Sequence, residues 1–454
     1  MKGMIILKRR DFLNLFASST AAGVLRGAPV RRPNILLIVA DDLGYGELSS
    51  QGCRDVSTPN IDSLAHNGVR FTSGYVSCPV CSPSRAGLMT GRYQQRFGYE
   101  FNPGPGDRAI PDFGLPLNEV SIAERMKRFG YATGVFGKWH LGYNPPYHPL
   151  KRGFDEFFGF LGGSHSYVDA LGDKVNPVFR GTQPIDEKSY LTEAFAREAC
   201  SFIERHRANP FFVYVPFNAV HDPLEALNKY RARFASIADE KRRTFAAMQS
   251  AMDDAVGRVL ATLRAHRLED DTLIIFISDN GGPTSLTTSG NSPLRGFKRQ
   301  VWEGGIRVPF MMQWKGRIPS GKVYARPVIS LDISPTLMAA AGSRIPADAA
   351  LDGVDLMPFL AGREKGDPHT HLFWRFGAHC AVRAGDWKLL RRAVDAPWEL
   401  YNLAADIGEK SDIAAAQPAK VKELGAAFSR WNSQLAEPRW CEGGGAYVGT
   451  PKKK

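Results

Sequence analysis

The chain has 454 residues, and its composition, 43% hydrophobic and 11% aromatic, is that of a globular protein with one large domain and a smaller one. Its formal net charge of +12 comes mostly from the termini, because residues 1–32 hold seven basic residues and one acidic residue and the last three residues are lysines. The chain between the two termini is only mildly basic and shows no interleaved aromatic and basic residues, which gives no support for a nucleic-acid partner. The length of the chain excludes a small protein with a single core.

The first 30 residues resemble a bacterial twin-arginine export signal. Paired arginines, Arg9 and Arg10, precede Phe12, Leu13, a short apolar stretch and small residues. The resemblance implies transport by the twin-arginine export machinery to the periplasm or the medium, while an amphipathic surface helix is the alternative. No later segment has about 18 uninterrupted apolar residues, so we expect a protein that is not integral to the membrane.

Four apolar runs predict buried strands. The run NILLIVA, Asn34–Ala40, is followed by two carboxylates, and TLIIFIS, Thr272–Ser278, is followed by an aspartate and an asparagine. The segments PFFVYVPF and YATGVFG, residues 210–217 and 131–137, are similar. Apolar runs without alternation are typical of parallel strands that helices cover on both faces.

Helical patterns alternate with these strands. Thr58 and Pro59 predict an N-cap and a first helical position, and residues 189–207 and 240–266 form longer amphipathic candidates. The alternation predicts an α/β domain, residues 31–365, in which a large, mixed and mostly parallel sheet lies between helices. From residue 366 onward, Trp-rich short strands and one helix predict a smaller C-terminal α+β domain with a short antiparallel sheet.

Polar residues follow two of the predicted strands: Asp41 and Asp42 after the first, Asp279 and Asn280 after the other. Because parallel strands end at one edge of a sheet, where ligands bind in open α/β folds, we expect the four to converge. Three carboxylates and an amide oxygen suit Ca²⁺ or Mg²⁺ better than zinc. The alternative interpretation is that each pair only caps the following helix or turn.

The stretch CPVCSPSRAGLMTGR, residues 78–92, predicts a short helix. Ser82 and Pro83 are typical of an N-cap and a first helical position, and Gly91 marks the end. The helix N-terminus beside Cys81, with its free N–H groups and positive dipole, favours an anion such as sulfate or phosphate.

Arg85 lies one turn beyond Cys81 and is expected on the same side of this helix, where it can stabilise a nucleophile or an oxyanion. On these residues alone, Cys81 can be a thiol nucleophile, a redox partner of Cys78 or an inert buried thiol. A single C-x-x-C is poor evidence for zinc, and six cysteines are too few for a disulfide scaffold.

Two further segments and a loop provide cationic or titratable partners. Lys138 and His140 in FGKWHLG face the same way if the chain is extended, and His221 follows the PFFVYVPF strand. The Gly-rich segment LRGFKRQVWEGGIRVP carries Lys298. Each histidine alone is more typical of a structural, hydrogen-bonded residue, and most basic residues of the loop are expected to be solvated.

Taken together, these segments resemble the formylglycine-dependent, arylsulfatase-like sulfatases of the alkaline-phosphatase superfamily. CSPSRAGLMTGR matches the signature C-x-P-S-R followed by T-G-R, and ADDLGYGELSS, GKWHLG, RGFDEFFGFLGG, VHDPL, SDNGG and KRQVWEGGIRVP match the family's blocks in order. The similarity extends from about residue 32 to the C-terminal helix.

The resemblance implies that a maturation enzyme oxidises Cys81 to formylglycine, an aldehyde that forms a geminal diol in water. One diol oxygen attacks sulfur and expels the alcohol, and the second hydroxyl then drives elimination of sulfate. The family's pattern assigns one Ca²⁺ to the side chains at Asp41, Asp42, Cys81, Asp279 and Asn280.

The same resemblance distributes the remaining roles. Arg85 favours proton loss from the diol, Lys298 and His221 lie on the leaving-group side, and Lys138 and His140 lie on the diol side. His140 is the expected base for breakdown of the sulfated intermediate.

The hypothesis is therefore hydrolysis of sulfate esters, with a sulfated small molecule or glycan as the substrate. One alternative is a phosphonate monoester or phosphodiester hydrolase with the same site. A second is a non-catalytic protein that binds sulfated glycans through an unmodified Cys81.

Overall fold

The structure is a computed structural model that describes residues 32–102, 113–174, 176–343 and 350–441. Within these ranges, the strands are β1 (Asn34–Ala40), β2 (Val69–Phe71), β3 (Gly74–Tyr75), β4 (Ala132–Lys138), β5 (Glu156–Phe160), β6 (Phe179–Arg180), β7 (Gln183–Pro184), β8 (Phe211–Pro216), β9 (Thr272–Ser278), β10 (Phe310–Gln313), β11 (Lys322–Tyr324), β12 (Val328–Ile329), β13 (Leu372–Phe376), β14 (His379–Ala384), β15 (Trp387–Arg391) and β16 (Glu399–Asn402). The α-helices are α1 (Pro59–His66), α2 (Cys81–Thr90), α3 (Ile122–Arg128), α4 (Leu191–His206), α5 (Asn228–Arg231), α6 (Glu240–Ala265), α7 (Thr284–Thr287), α8 (Glu303–Ile306), α9 (Ile333–Ala340), α10 (Met357–Leu360) and α11 (Pro418–Asn432).

The large sheet has ten strands in the order β11-β2-β10-β9-β1-β8-β4-β5-β6-β7. Its five central strands, from β9 to β5, are parallel, whereas β10, β6 and β7 pair antiparallel with their neighbours. The four predicted apolar runs are therefore adjacent strands of one sheet and end at the same edge.

Strand β1 shows why these runs lack alternation. Ile35, Leu37 and Val39 belong to the core on one face of the sheet, and Leu36 and Ile38 to the core on the other. Helices α2, α3 and α9 contribute to the first core and α1, α4 and α6 to the second. Because both faces are covered, every residue of the strand is buried and apolar side chains are favoured throughout.

The C-terminal part forms a four-stranded antiparallel sheet, β13-β14-β15-β16. Helix α11 packs on it through Leu424 and Phe428, and the same core includes Tyr75 and Trp302 of the preceding chain. The predicted α/β class, with a mostly parallel large sheet and a small antiparallel sheet, is confirmed. The boundary at residue 366 stays a prediction.

None of the helices in the described ranges is both long and apolar enough to cross a membrane. The predicted export signal, residues 1–30, lies outside the described residues.

Candidate active site

The carboxyl ends of two neighbouring parallel strands bring the predicted acidic and amide side chains together. Asp41 and Asp42 follow β1, Asp279 and Asn280 follow β9, and all four are buried. The Asp42 N–H donates to Asp279 Oδ1 at 3.2 Å, and Asn280 Nδ2 donates to Asp42 Oδ1 at 2.6 Å. Residues more than 230 positions apart in the chain thus form one cluster, as the parallel-sheet argument predicted.

Three cations neutralise the three carboxylates. Lys138 Nζ lies 2.6 Å from Asp41 Oδ2, and Lys298 Nζ lies 2.7 Å from Asp42 Oδ1. The third cation is a guanidinium: Arg85 Nη2 and Nε donate to Asp279 Oδ2 at 2.7 and 3.0 Å. Arg85, which we predicted on the same side of the helix as Cys81, thus fixes one carboxylate of the cluster.

These acidic residues offer a donor set that fits a hard divalent cation. Carboxylate and amide oxygens are the ligands that Ca²⁺ and Mg²⁺ prefer. The side-chain Oδ1 of Asn280 is buried and accepts no hydrogen bond in the described part of the chain, although buried oxygens normally have a partner. Ligand atoms of Asp41, Asp42, Cys81 and His221 all lie within 4.8 Å of one another.

Cys81 is the first residue of α2 and only 1% exposed. Its Sγ lies 3.6 Å from Asp41 Oδ1, and no disulfide joins it to Cys78 in the structure. Burial by itself raises the pKa of the Cys81 thiol, but the charges of Lys138 and Lys298 lower it to about 7. The residue thus faces the cluster at the end of the helix, as predicted.

The predicted N-cap of this helix was wrong. Val80 is the N-cap, and Ser82 lies inside the first turn, where its Oγ donates to the His140 carbonyl at 2.6 Å and lies 2.6 Å from the Tyr99 hydroxyl. A local side-chain cap was replaced by a long-range contact, because the buried His140 carbonyl requires a donor.

The helix N-terminus also offers fewer free N–H groups than we expected. The Ser82 N–H donates to Asn102 Oδ1 at 2.9 Å, and Pro83 has no N–H group. The attraction of this end for an anion therefore rests mainly on the helix dipole and on the neighbouring cations.

The two histidines approach the cluster from different strands. His140 lies just beyond β4 with a left-handed backbone (φ 57°), so its convergence with Lys138 comes from a turn and not from an extended chain. Burial, together with Lys138 and Arg85, lowers the pKa of His140 well below its ordinary value. His140 Nδ1 is buried and has no hydrogen-bond partner within the described ranges.

His221 lies beyond β8, on the Asp42 side of the cluster. Its Nε2 is 3.6 Å from Asp42 Oδ2, and its Nδ1 is 2.6 Å from the Asp222 carbonyl, which requires the proton on Nδ1. Burial alone lowers the pKa of His221, but the carboxylates of Asp41 and Asp42 raise it to about 9.

Sequence reasoning missed several residues that support this site. The Tyr167 hydroxyl donates to the carbonyls of Asn218 and His221, and the Ser289 hydroxyl donates to the Asp42 carbonyl at 2.8 Å. These residues come from distant loops. Ser82, the serine inside CSPSR, was the one supporting residue that a motif indicated, and we interpreted it as a helix cap.

Comparison with known proteins decides the family. A family model described as Sulfatase matches residues 33–343, and a second, described as N-sulphoglucosamine sulphohydrolase, C-terminal, matches residues 296–431. The chain belongs to the sulfatase family. The resemblance inferred from the sequence blocks is thereby confirmed, and this sulfatase is a sulfuric ester hydrolase.

Individual relatives agree with this assignment. N-acetylgalactosamine-6-sulfatase of Sus scrofa is 35% identical over 417 residues, which cover 85% of this chain and 78% of the relative. Uncharacterized sulfatase YdeN of Escherichia coli (strain K12) is 30% identical, and the match covers 87% of this chain and 84% of the relative. The crystal structure of Ps i-CgsB in complex with k-i-k-neocarrahexaose is 36% identical, with a TM-score of 0.85 over 90% of this chain and 95% of that one.

Proposed function

We propose that this sulfatase hydrolyses sulfate esters of a sulfated glycan, with formylglycine formed from Cys81 and with bound Ca²⁺. The observation that carries the proposal is the meeting of Cys81 with two aspartates and a histidine, whose ligand atoms lie within 4.8 Å of one another at the sheet edge. The signature C-x-P-S-R around Cys81 is that of the family whose membership is established above. The cation ligands are Asp41, Asp42, Asp279, Asn280 and the modified side chain at position 81.

The charges of the cluster are compatible with a cation. Without it, three carboxylates face one arginine, two lysines and His221, so the cluster is neutral to slightly positive. A divalent ion makes the site positive and suits a sulfate monoester together with an ionised nucleophile. When present, formylglycine would supply a hydrated aldehyde, one oxygen of which takes the sulfo group from the ester as the alcohol leaves.

The residues divide into two sides. Cys81 and Lys138 lie on the Asp41 side, at 3.6 and 2.6 Å, whereas His221 and Lys298 lie on the Asp42 side. We assign His221 to the leaving group, because its Nδ1 proton is held by a carbonyl and its Nε2 is left to deliver a proton to the departing oxygen.

The residues of the other side act on the nucleophile. We assign Lys138 to orienting it and His140, whose Nδ1 has no partner among the described residues, to accepting a proton. Lys298 orients the sulfate group from the leaving-group side, and Arg85, held by Asp279, stabilises negative charge on the nucleophile.

The relatives support a glycan as the substrate. One carries N-acetylgalactosamine in its name, and the solved relative was crystallised with a neocarrahexaose. Export by the twin-arginine machinery, based on Arg9 and Arg10, belongs to the same proposal, since it delivers the enzyme to the periplasm or the medium, where such polymers occur.

Mass spectrometry and kinetics test the proposal. Protein from its native host should yield a peptide with formylglycine at position 81, and Cys81→Ala should reduce turnover of aryl and glycan sulfates by more than a thousandfold. An intact thiol with retained glycan binding and no turnover supports the binding protein instead. Faster turnover of a phosphodiester or phosphonate monoester than of any sulfate ester contradicts the substrate class.

A further inference from the structure

The loop of residues 295–303 carries Lys298, which lies across the site from Cys81. Lys298 Nζ contacts both oxygens of Asp42, at 2.7 and 2.8 Å. The Gly304 N–H donates to the Arg295 carbonyl at 2.7 Å and closes the base of the loop. Inside the loop, the Arg299 N–H donates to the Pro79 carbonyl at 2.9 Å. The position of the ammonium group depends on this contact and on what holds the two ends of the loop.

One residue of the C-terminal part holds both ends. Glu409, which lies between β16 and α11, accepts a hydrogen bond from Arg295 Nη1 on its carbonyl oxygen at 2.6 Å. Its carboxylate Oε2 accepts the Glu303 N–H at 2.8 Å. These contacts join residues more than 100 positions apart, and they fix the start and the end of the 295–303 loop to the same point.

The anchor is a buried cluster of ionisable groups, in which burial raises the pKa of Glu409 to about 7. Lys388 Nζ of β15 lies 2.8 Å from Glu409 Oε1 and 2.9 Å from Glu303 Oε1, and all three side chains are completely buried. Buried charges are tolerated when they are paired, and removal of one partner is strongly destabilising. Burial alone raises the pKa of Glu303, but Lys388 and two arginines hold it at about 2, so its carboxylate stays charged.

Two more features support the link between the loop and the C-terminal part, one at Glu409 and one in the loop. Its backbone is left-handed (φ 49°), a conformation that is unfavourable for a residue with a Cβ and that persists where surrounding contacts require it. The loop also packs on the small sheet, since the Arg295 guanidinium lies 3.8 Å from the Trp302 ring centre and Trp302 contacts Tyr401 at 5.5 Å.

We infer that Glu409 is a positioning residue of the sulfatase reaction, which acts through the 295–303 loop to set the place of Lys298. The C-terminal part of the chain, which carries Glu409 and Lys388, then contributes to the reaction through the position of Lys298. The inference rests on the proposed role of Lys298 in orienting sulfate.

A double-mutant cycle separates positioning from general stability. Glu409→Gly removes the side chain and tolerates the left-handed backbone. We expect it to lower kcat/KM by about tenfold or more in the wild-type background and by less than twofold in Lys298→Ala, where no ammonium is left to place. If Glu409→Gly lowers kcat/KM by the same factor in both backgrounds, the inference is overturned.

The matched control is Gln95→Leu. It removes a partly buried 2.7 Å hydrogen bond to the Arg375 carbonyl, which also joins the small sheet to the rest of the chain but does not touch the loop. We expect this variant to keep kcat/KM within twofold of the wild type, and a loss as large as that of Glu409→Gly overturns the inference.

Chemical labelling tests the placement without turnover. The Lys298 side chain is 12% exposed, so its rate of reductive methylation, followed by peptide mass spectrometry, should rise about fivefold in Glu409→Gly and stay unchanged in Gln95→Leu. If Glu409→Gly does not fold, Glu409→Gln replaces it, with an expected rise of about threefold. If the folded Glu409 variant is labelled at the wild-type rate, the inference is overturned. If the wild type has no sulfatase activity but the labelling rates differ as expected, only the proposed function is contradicted.

Discussion

Replacement of Ser82 by alanine tests whether one hydroxyl group joins the Cys81 helix to the turn that carries His140. The Ser82 Oγ donates to the His140 carbonyl and lies within hydrogen-bond distance of the Tyr99 hydroxyl, each at 2.6 Å. All of these residues are buried, so water cannot easily replace the lost partner. The substitution removes both contacts and changes little else, because serine and alanine differ by a single oxygen.

The expected magnitude follows from the number of contacts. A buried group that loses its partner costs about 1–3 kcal/mol, so the free energy of unfolding should fall by about 2–4 kcal/mol. With an unfolding entropy of about 2.1 cal/mol/K per residue over roughly 400 ordered residues, this corresponds to a decrease in Tm of about 2–5 °C. Displacement of His140 relative to position 81 should lower kcat/KM by about tenfold to a hundredfold.

Scanning fluorimetry and steady-state kinetics on an aryl sulfate measure the two effects. Position 82 is the variable residue of C-x-P-S-R, so formylglycine content should match the wild type, which peptide mass spectrometry checks. Thr272→Val is the control, because it removes a buried hydroxyl that donates at 2.6 Å to the Leu268 carbonyl at the amino end of β9, the opposite edge of the sheet. A Ser82→Ala enzyme with a lowered Tm but wild-type kcat/KM refutes the reasoning, as does an equal loss of activity in Thr272→Val.

Chelation of calcium with EGTA should abolish turnover and lower the Tm, and Ca²⁺ at 100 times its Kd should restore about 2.7 kcal/mol of stability; full activity in EGTA contradicts the metal site. Asp253→Ala removes the acceptor of the Asn60 and Ile61 N–H groups at the start of α1, so urea titration should show a loss of about 2–3 kcal/mol while kcat is unchanged. Burial lowers the pKa of His369, but Asp332 at 2.7 Å more than offsets this and raises it. The His369–Asp332 pair therefore stabilises the folded state fully below the unfolded pKa of about 6.5, and this stabilisation is lost as the pH rises through the folded-state pKa of His369. The difference in free energy of unfolding between wild type and His369→Gln should shrink over that range. A constant difference argues against the pair.

The sequence was most informative where a rule of geometry applied. Strands β1 and β9 have the predicted bounds, because residues buried on both faces leave an uninterrupted apolar run. The convergence of Asp42 and Asp279 followed from the common edge of parallel strands, although the two residues are 237 positions apart.

The sequence was least informative where a distant group replaced a local one. Thr58 occupies the predicted N-cap position of α1, but its side chain makes no capping bond, and the carboxylate of Asp253 binds the N–H groups instead. Ser82 and Glu409 are similar cases, since their partners are set by tertiary packing. Local propensity contains no information about such partners until the fold is known.

The burial of Cys81 restricts when another protein can modify this residue. With 1% of the residue exposed and its thiol turned toward Asp41, another protein cannot reach this sulfur once the surrounding strands have assembled. Any enzyme that oxidises it must therefore meet the nascent or unfolded polypeptide, and a refolded, unmodified chain should stay a poor substrate for that enzyme. Under the proposed maturation of Cys81, oxidation and folding would compete in time, and the yield of active protein would depend on which is faster.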